Sequence, residues 1–444
     1  MDLGDIFKAY DIRGRVPDEI DAEVGRRIGA AFAVFAGAGT IAVGRDCRLS
    51  SPAIAGGFAA GAAATGVDVV DLGEITTDTV YVVSGKEAMP GAMITASHNP
   101  KNWNGIKLTL AGARPVGEDT GLDEVRRLAE EGVAEAGQAG TITPRDFIPE
   151  YIDHLLGIVS PERIGDLLVV VDGGNGMAGV AVPGVFDRIP ARLDGLYLDP
   201  DGEFPNHHPD PLRPENLEDL LAEMGRVGAD LGVAFDGDAD RAFFVDDRLQ
   251  PLPGSTTTAI IARWFLASHP GASIVHNLIC SRAVPESVRA HGGTPVRTRV
   301  GHSFIKGVMA DTDAVFGGEH SGHYYFRANY RADSGMLAML VLLQALSEDG
   351  RPLSEMRREY EPYAQSGEIN FEVDDQQAAI ERVARATADG GQDRLDGLTV
   401  QWDDRWFNLR PSNTEPVLRL NVEAPDGDAV DVLVERVAAV IAGR

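Results

Sequence analysis

Three aspartates at alternate positions, Asp236, Asp238 and Asp240, follow the apolar stretch LGVAF. In an extended or turning backbone, residues two apart project to one side, so the three carboxylates can surround a hard cation. A calcium-binding EF-hand is disfavoured, because Arg241 stands where that loop needs glycine and Asp247 where it needs glutamate. A solvated acidic turn is the remaining alternative. We interpret the segment as a metal site, with Mg²⁺ favoured over Ca²⁺ if a phosphate completes the coordination.

A serine that could carry out chemistry, Ser97, lies in the segment MITASHNP. Pro100 prevents a helix from running through the segment, so Ser97 belongs to a loop after the strand GAMI. The turn NWNGIK can fold Lys107 back over the serine. Three interpretations are open: an ST-turn that shapes the loop, a hydrolase nucleophile beside His98, or a carrier of a transferred group. The hydrolase is disfavoured, because adjacent side chains are expected to diverge and no G-x-S-x-G elbow surrounds Ser97.

The segment FGGEHSGHYYF presents Glu319, Ser321 and His323 between glycines that let a ligand approach the backbone. A carboxylate and a hydroxyl close together suit the hydroxyl groups of a sugar. A glycine-rich hairpin with a buried histidine is the alternative that this segment leaves open. Zinc is disfavoured, because His320 and His323 lack a third soft ligand nearby in the sequence.

The segment LRPSNTEP concentrates hydrogen-bond donors in a turn, with a further arginine after it: Arg410, Ser412, Asn413, Thr414 and Arg419. Such a turn together with a guanidinium group matches a phosphate dianion. A plain polar turn is the alternative, and the arginine at the head of the segment favours phosphate.

Two smaller clusters are open to a structural or a functional interpretation. FKAYDIRG contains Tyr10 and Arg13, and VGHSFIK contains His302 and Lys306. Lysine occurs at only five positions of the chain, which draws attention to Lys107 and Lys306.

The elements that position these loops repeat a strand–helix–strand plan three times, beginning at TIAVGRD, LLVVVDGG and ASIVHNL. This plan predicts α/β units with at least partly parallel sheets. Asp46 to Ser51 offer capping residues for an Ala/Gly-rich helix that could pack closely on its sheet. The tail alternates shorter strands and helices, which predicts a smaller α+β domain. We predict four domains, comprising residues 1–145, 146–249, 250–362 and 363–444. Each supplies one of the four loops to a central cleft.

Composition narrows the function classes. The formal net charge is −28, which argues against non-specific binding to nucleic acid or to an anionic membrane. No apolar run approaches the roughly 18 residues of a membrane span, and the N-terminal residues do not resemble a signal peptide. Cys47 and Cys280 lack metal or redox spacing and are interpreted as free thiols. We expect a cytoplasmic enzyme with a small-molecule substrate.

TASHNP, DGDADR, GEHSGH and RPSNTEP, in this order and at these intervals, resemble the four active-site loops of the α-D-phosphohexomutase family. The resemblance extends over essentially the whole chain, including FKAYDIRG and FPNHHPDPLRPENL. It implies four domains around a central cleft, three alike and a smaller fourth. The implied activity is interconversion of hexose 6-phosphate and hexose 1-phosphate through a phosphoserine and a 1,6-bisphosphate intermediate.

The resemblance also implies roles for individual residues. Ser97 would be the phosphoserine, and a phosphoserine oxygen would complete a Mg²⁺ site of Asp236, Asp238 and Asp240. Glu319 and Ser321 would contact the sugar hydroxyls, while Arg410, Ser412, Asn413, Thr414 and Arg419 would bind the non-reacting phosphate. Lys107 and His323 match acid–base positions, and Tyr10, Arg13, His98, Arg241 and His302 match residues that line the cleft. A 1,6-bisphosphorylated hexose is the implied activator.

The motifs favour the phosphomannomutase/phosphoglucomutase branch, with mannose phosphate first and glucose phosphate close behind. The phosphoglucosamine branch, which commonly has glycine in place of Asn413, is an alternative. Many relatives with mannose and glucose activity have a lysine near Cys280. In this chain Ile279 cannot do the work of that lysine but Arg282 could, and His320 stands where methionine is common. These departures affect substrate preference rather than mutase chemistry. An aspartyl-phosphate enzyme with Asp236 as nucleophile and a non-catalytic sugar- or cation-binding protein are lesser alternatives. We expect a monomer, and a dimer is compatible with the sequence.

Overall fold

In the computed structural model, the described residues, 2–412 and 417–443, form four sheets with associated helices. The side chains of His302 and Ser303 lie outside the described part. The predicted class is confirmed: three similar mixed-sheet α/β units precede a smaller C-terminal α+β domain. Within the described residues, no helix is long and apolar enough to cross a membrane.

The first unit combines four parallel strands with antiparallel partners at one side of its sheet, in the order β1-β5-β4-β2-β3-β7 with β6 on β5. Its strands are β1 (Ile12–Arg15), β2 (Thr40–Arg45), β3 (Asp68–Glu74), β4 (Gly91–Ile94), β5 (Trp103–Leu110), β6 (Arg114–Pro115) and β7 (Ile142–Pro144). Its helices are α1 (Ala22–Ala36), α2 (Ser51–Ala64), α3 (Thr77–Glu87) and α4 (Leu122–Glu131).

The closest packing of the Ala/Gly-rich helix α2 is against helix α1 rather than against the sheet. A Cβ atom on Gly29 would lie 2.0 Å from the carbonyl oxygen of Phe58, and one on Gly61 would lie 1.9 Å from that of Arg26. Only glycine permits two helix backbones to approach this closely. Asp46 does not cap α2, because its carboxylate accepts hydrogen bonds from Arg48 and from the Ser51 hydroxyl.

The second and third units each have three parallel strands with antiparallel strands at one edge of the sheet. The strand orders are β11-β10-β8-β9 and β13-β12-β14-β15-β16. The second contains α5 (Ile148–Leu156), β8 (Leu168–Asp172), α6 (Val182–Phe186), β9 (Arg192–Leu196), α7 (Glu218–Val227), β10 (Leu231–Phe235) and β11 (Ala242–Val245). The third contains α8 (Gly254–Ser268), β12 (Ser273–Asn277), α9 (Ala283–Ala290), β13 (Thr294–Thr298), α10 (His302–Thr312), β14 (Phe316–Gly318), β15 (Tyr324–Phe326), β16 (Ala332–Asp333), α11 (Gly335–Asp349) and α12 (Leu353–Met356).

The C-terminal domain is an antiparallel sheet in the order β17-β21-β20-β19-β18 with two helices. Its elements are β17 (Ala364–Glu372), α13 (Gln376–Ala386), β18 (Gly391–Asp393), β19 (Leu398–Gln401), β20 (Trp406–Pro411), β21 (Val417–Ala424) and α14 (Gly427–Ile441). Asp375 and Asp426 cap the two helices by accepting a backbone N–H three residues ahead.

The buried apolar clusters do not coincide with the four sheets. One buried cluster extends through the second and third units and includes Val82 and Met93 of the first. The C-terminal domain has a cluster of its own, whose buried members all lie between Ala379 and Ile441. The first three units are therefore joined by shared apolar packing, and the described core of the C-terminal domain is separate.

Candidate active site

Three of the four loops occupy equivalent places in their sheets. Strands β4, β10 and β14 each run parallel to one neighbour and antiparallel to the strand that follows them in the chain. Ser97, Asp236 and Glu319 lie just beyond the ends of these strands. The three repeated units thus present their polar loops in the same way, and contacts between the loops bring them together.

Ser97 lies directly against the aspartate loop. Its hydroxyl donates to Asp236 Oδ2 at 2.7 Å and accepts from Arg241 Nη2 at 3.3 Å. The side chain is 3% exposed, and the backbone φ of +51° lies in the left-handed region that non-glycine residues rarely adopt. Such strain is typical of positions that the surrounding structure holds for a functional reason.

The expectation that Ser97 and His98 diverge is wrong, because the left-handed turn brings His98 Nδ1 to 3.2 Å from Ser97 Oγ. Burial, with the charge of Arg241, lowers the pKa of His98 well below its ordinary value. The ring is therefore neutral at pH 7. No carboxylate in the described part of the chain accepts a hydrogen bond from it, so the third member of a hydrolase triad is lacking.

The three aspartates form a group that can hold a metal ion. Asp236, Asp238 and Asp240 are at most 2% exposed, and one carboxylate oxygen from each lies within 4.8 Å of the others. Asp238 Oδ1 and Asp240 Oδ1 are buried and have no hydrogen-bond partner among the described residues. Buried carboxylate oxygens without partners are costly unless a cation binds them, and Mg²⁺ prefers oxygen ligands. The residues present therefore fit a divalent cation.

Two cations compensate the aspartate charges. Lys107 Nζ lies 2.7 Å from Asp238 Oδ2 and 2.5 Å from Asp240 Oδ2, and Arg241 contacts Asp236 at 2.9 Å. Burial raises the pKa of Asp236 to about 7, although Arg241 opposes the rise. Burial alone would lower the pKa of Lys107, but the two aspartates raise it well above its ordinary value. Lys107 thus stays charged and contacts the acids of the metal loop.

The GEHSGH loop groups its polar side chains around Glu319, which is buried. Tyr325 donates to Glu319 Oε1 at 2.9 Å, while Ser321 and Asn277 donate to Oε2 at 3.1 and 3.4 Å. These contacts fix the direction of the carboxylate, with the half-buried Ser321 beside it. The pair can accept and donate hydrogen bonds to neighbouring hydroxyl groups of a ligand.

His323 joins the GEHSGH loop to the aspartate loop. Its backbone forms a β-bridge with Arg241, and its Nδ1 lies 3.0 Å from Asp333 Oδ2 and 3.9 Å from Asp240 Oδ1. Burial opposes charging of the ring, but Asp240 and Asp333 raise the pKa of His323 above its ordinary value. Lys306 Nζ pairs with Asp333 Oδ1 at 2.9 Å, so the carboxylate that orients His323 is itself neutralised.

The RPSNTEP loop brings two guanidinium groups to one carboxylate. Arg410 and Arg419 are register partners on β20 and β21, and each lies 3.2 Å from an oxygen of Glu368. The backbone N–H of Ser412 donates to Val417. Asn413 and Thr414 lie outside the described residues. Two neighbouring guanidinium groups can bind an anion such as a phosphate, which the net charge of −28 would otherwise repel.

Tyr10 lies between the third unit and the C-terminal domain. Its hydroxyl donates to the carbonyl of Val300 at 3.3 Å. Burial and the charges of Asp396 and Glu319 raise the pKa of Tyr10 to about 12, while Arg299 and Arg410 oppose the rise. Tyr10, which belongs to the first unit, thus contacts the third unit.

The remaining residue of the N-terminal cluster supports the serine loop. Arg13 pairs with Asp11 at 2.7 Å and donates to the side chain of Asn99. His302 begins helix α10, and its side chain lies outside the described part.

The two departures from the family pattern are explained by their contacts. Arg282 does not replace a substrate-binding lysine, because its guanidinium donates to the carbonyls of Asp403 and Asp404 in the C-terminal domain. Ile279 is buried. His320 Nδ1 lies 3.2 Å from Ser255 Oγ at the start of α8.

Sequence reasoning missed several residues that support the site. Thr77 Oγ1 donates to Asp238 Oδ2 at 2.6 Å, Asp333 orients His323, and Tyr325 orients Glu319. Lys306 was a candidate in the VGHSFIK cluster, but its pairing with Asp333 was not predicted. Arg48, beneath the serine loop, was also missed, although its place in the charged sequence RDCR after a strand was a usable signal. Thr77 and Asp333 carry no signal of their own, because long-range folding alone brings them to the site.

Comparison with known proteins gives a consistent result. Sequence models of the phosphoglucomutase/phosphomannomutase family match all four parts of the chain: domain I at residues 4–135, domain II at 149–250, domain III at 253–363 and the C-terminal domain at 368–440.

Individual relatives agree with these matches. The chain is 42% identical over 433 residues to a phosphomannomutase of Salmonella montevideo, with 94% of each chain covered. It is 41% identical over 428 residues to a protein of Xanthomonas campestris described as phosphohexose mutases, with 95% of each covered. A solved structure of a family member from Burkholderia thailandensis has a TM-score of 0.90 and 32% identity, covering 98% of this chain and 96% of that one. The chain belongs to the phosphoglucomutase/phosphomannomutase family.

Proposed function

We propose that the chain is a phosphohexomutase that interconverts hexose 6-phosphate and hexose 1-phosphate, with mannose phosphate as its preferred substrate. The single observation that carries the proposal is the contact between Ser97 Oγ and Asp236, because Asp236 belongs to a buried group of three aspartates that can hold a metal ion. A hydrolase would need a base with an orienting carboxylate, and no described residue supplies such a carboxylate to His98.

Each half of the proposed reaction is a phosphoryl transfer. The free hydroxyl oxygen of the hexose monophosphate forms a bond to the phosphorus of phosphoserine 97, and the bond from phosphorus to Ser97 Oγ breaks. A proton leaves the sugar hydroxyl, and a proton returns to Ser97 Oγ. The resulting 1,6-bisphosphate turns end over end. Ser97 Oγ then loses its proton and bonds to the phosphorus of the other phosphoryl group, the bond from that phosphorus to the sugar oxygen breaks, and this oxygen gains a proton. A 1,6-bisphosphorylated hexose serves as activator, because it can phosphorylate a free Ser97.

Mg²⁺ would be held by Asp236, Asp238 and Asp240, with an oxygen on Ser97 completing the site. It would neutralise charge on the transferring phosphoryl group. Arg241 adds positive charge beside Ser97 Oγ, and Lys107 stays protonated between two aspartates. Lys107 and His323 are the groups that we propose for acid–base duty, and His98 lines the cleft beside Ser97.

The other two loops bind the part of the substrate that does not react. Glu319 and Ser321 form hydrogen bonds with sugar hydroxyls, with Tyr10, Arg13 and His302 lining the cleft. The phosphate clamp comprises Arg410, Ser412, Asn413, Thr414 and Arg419. The four loops belong to domains that we assign to residues 1–145, 146–249, 250–362 and 363–444. The proposal describes a monomeric cytoplasmic enzyme, with glucose phosphate as the second substrate.

The proposal is tested by intact mass, by substitution and by substrate comparison. We expect part of the purified protein to be one phosphate heavier, with an acid-stable phosphate on Ser97. Ser97→Ala should lower mutase activity at least about 10⁴-fold, because both half-reactions use this hydroxyl. Ser287→Ala, on helix α9, serves as the matched control and should be fully active.

Two outcomes would contradict the proposal. Phosphate on Asp236 would favour the aspartyl-phosphate mechanism, and full activity of Ser97→Ala would exclude the phosphoserine mechanism. Turnover of mannose, glucose and glucosamine 1-phosphates, each primed with a 1,6-bisphosphate, tests the sugar preference. A large preference for the glucosamine ester would contradict the choice of mannose.

A further inference from the structure

Arg48 is a charged residue beneath the serine loop that has no part in the proposed reaction. It lies in the turn between β2 and α2, and its side chain has no exposed surface. Burying a cation is costly unless other groups satisfy it. A fully buried arginine therefore indicates a specific set of partners.

All five N–H donors of Arg48 have acceptors, and four of these acceptors are backbone carbonyls around Ser97. Nη2 donates to the carbonyls of Ser97 at 2.8 Å and Asn99 at 2.7 Å, and Nη1 donates to those of Pro100 at 2.8 Å and Trp103 at 3.2 Å. Nε donates to the carboxylate of Asp46 at 3.1 Å, which balances the charge. The planar guanidinium thus matches the inward-facing side of the loop.

The serine loop lies beyond the end of β4, so its backbone carbonyls have no strand partner in the described part of the chain and depend on Arg48. The carbonyls of Ser97 and Asn99 accept from Arg48 alone among the described hydrogen bonds. Without it, the loop would leave backbone acceptors unsatisfied at the residue whose φ is +51°. The Phe204 ring from the second unit covers the guanidinium, with its centroid 5.2 Å from Cζ. Two units therefore hold the loop from beneath.

We propose that Arg48 is a positioning residue for phosphoryl transfer: by fixing the carbonyls of Ser97, Asn99 and Pro100, it directs the Ser97 hydroxyl to the aspartate group. This inference rests on the proposed function of Ser97 as the phosphoryl carrier. Arg48 acts through the backbone and contacts no substrate. Its loss should lower kcat, because both half-reactions use Ser97, while KM, which depends on the sugar loop and the phosphate clamp, should change little.

The test compares Arg48→Lys with Arg45→Lys, a matched control three residues earlier, whose arginine pairs with Glu74. Lysine keeps the charge beside Asp46 but cannot reach four carbonyls. We expect Arg48→Lys to lower kcat about 100-fold with KM within about threefold of wild type. We also expect phosphate to leave Ser97 faster in the absence of sugar, as measured by intact mass over time, because a loosened loop admits water. Arg45→Lys should match the wild type.

A purely structural role predicts a different result. A folded Arg48→Lys, judged by circular dichroism and melting temperature, with kcat within about threefold of wild type would overturn the inference. If Arg48→Lys does not fold, Phe204→Leu decides, because it removes the covering ring and keeps every hydrogen-bonding group. We expect it to lower kcat about fivefold at unchanged KM, and unchanged kcat would overturn the inference.

The same experiments separate this inference from the proposed function. If the wild type carries no phosphate on Ser97 and Ser97→Ala is active, both fail. If Ser97 carries phosphate and Ser97→Ala is inactive, but the deciding variant has the kcat of the wild type, only the role of Arg48 fails.

Discussion

The first three units and the C-terminal domain are attached in different ways. Val82 and Met93 of the first unit belong to the apolar cluster that extends through the second and third, and the aspartate loop contacts Ser97, Lys107 and Thr77. The buried Asp78 carboxylate accepts hydrogen bonds from Thr76, Tyr151 and Ser334, which come from three different units. The reacting groups therefore lie on a framework fixed by buried contacts.

The C-terminal domain joins the third unit through polar contacts. Arg282 reaches two carbonyls and Glu423, Arg297 pairs with Asp393, and the N–H of Val300 donates to Asp396. Of these contacts, the Arg297–Asp393 ion pair is exposed to solvent, and exposed ion pairs are worth little. The difference suits the proposed reaction: phosphoryl transfer needs fixed geometry, whereas a bisphosphate that turns over needs a phosphate clamp that can open.

The largest expected effect is the loss of activity when the metal is removed from the aspartate group, which lies within the first three units. Removal of divalent cations with a chelator should lower activity at least about 10³-fold, because the phosphoryl charge would lose its counter-ion. Added Mg²⁺ should restore wild-type activity, measured by coupled assay, but should not restore that of Asp238→Asn. If metal analysis shows that the protein is free of metal and its activity is nevertheless full, the predicted role of the aspartate group is contradicted.

A smaller effect is expected in the C-terminal clamp. Arg410→Lys should lower kcat/KM about 30-fold, because lysine cannot replace the bidentate guanidinium at a phosphate. The phosphate content of Ser97, measured by intact mass, should not change. Arg436→Lys on α14 is the matched control. A change in the phosphate content of Ser97 would contradict the comparison, because it would show that the C-terminal domain affects the serine loop in the first unit.

The smallest effect on catalysis is expected at the junction of the three units. Burial raises the pKa of Asp78 from 3.8 to about 6, so the folded protein binds a proton more tightly than the unfolded chain. The contribution of Asp78 to stability therefore falls as pH rises from about 4 to about 6, by at most about 3 kcal/mol.

The Asp78→Asn variant tests the predicted fall in stability with rising pH, because the asparagine side chain does not titrate. The free energy of unfolding of the wild type minus that of the variant should decrease between pH 4 and pH 7, measured by urea denaturation. A difference that is constant or rises with pH would contradict the assignment. Activity at pH 7 should stay within about threefold of wild type.

The sequence was sufficient for the fold class, because strand–helix–strand periodicity and the glycine turns are local properties. It also identified Asp236, Asp238 and Asp240 as one group, since they occupy alternate positions in one turn. Sequence reasoning was wrong about the contact between Ser97 and His98, because the directions of two adjacent side chains depend on the backbone φ, which the sequence did not reveal. It also failed for Arg282, which contacts the C-terminal domain through long-range folding.

The sequence by itself determined the family, the four polar loops and the kinds of chemical group that each loop offers. Only the tertiary structure decided which groups meet: Lys107 with two aspartates, Asp333 with His323, and Arg48 with four carbonyls beneath Ser97. The physical reason is that local propensity specifies a strand or a turn within a few residues, whereas a buried charge must find partners that are distant in the sequence.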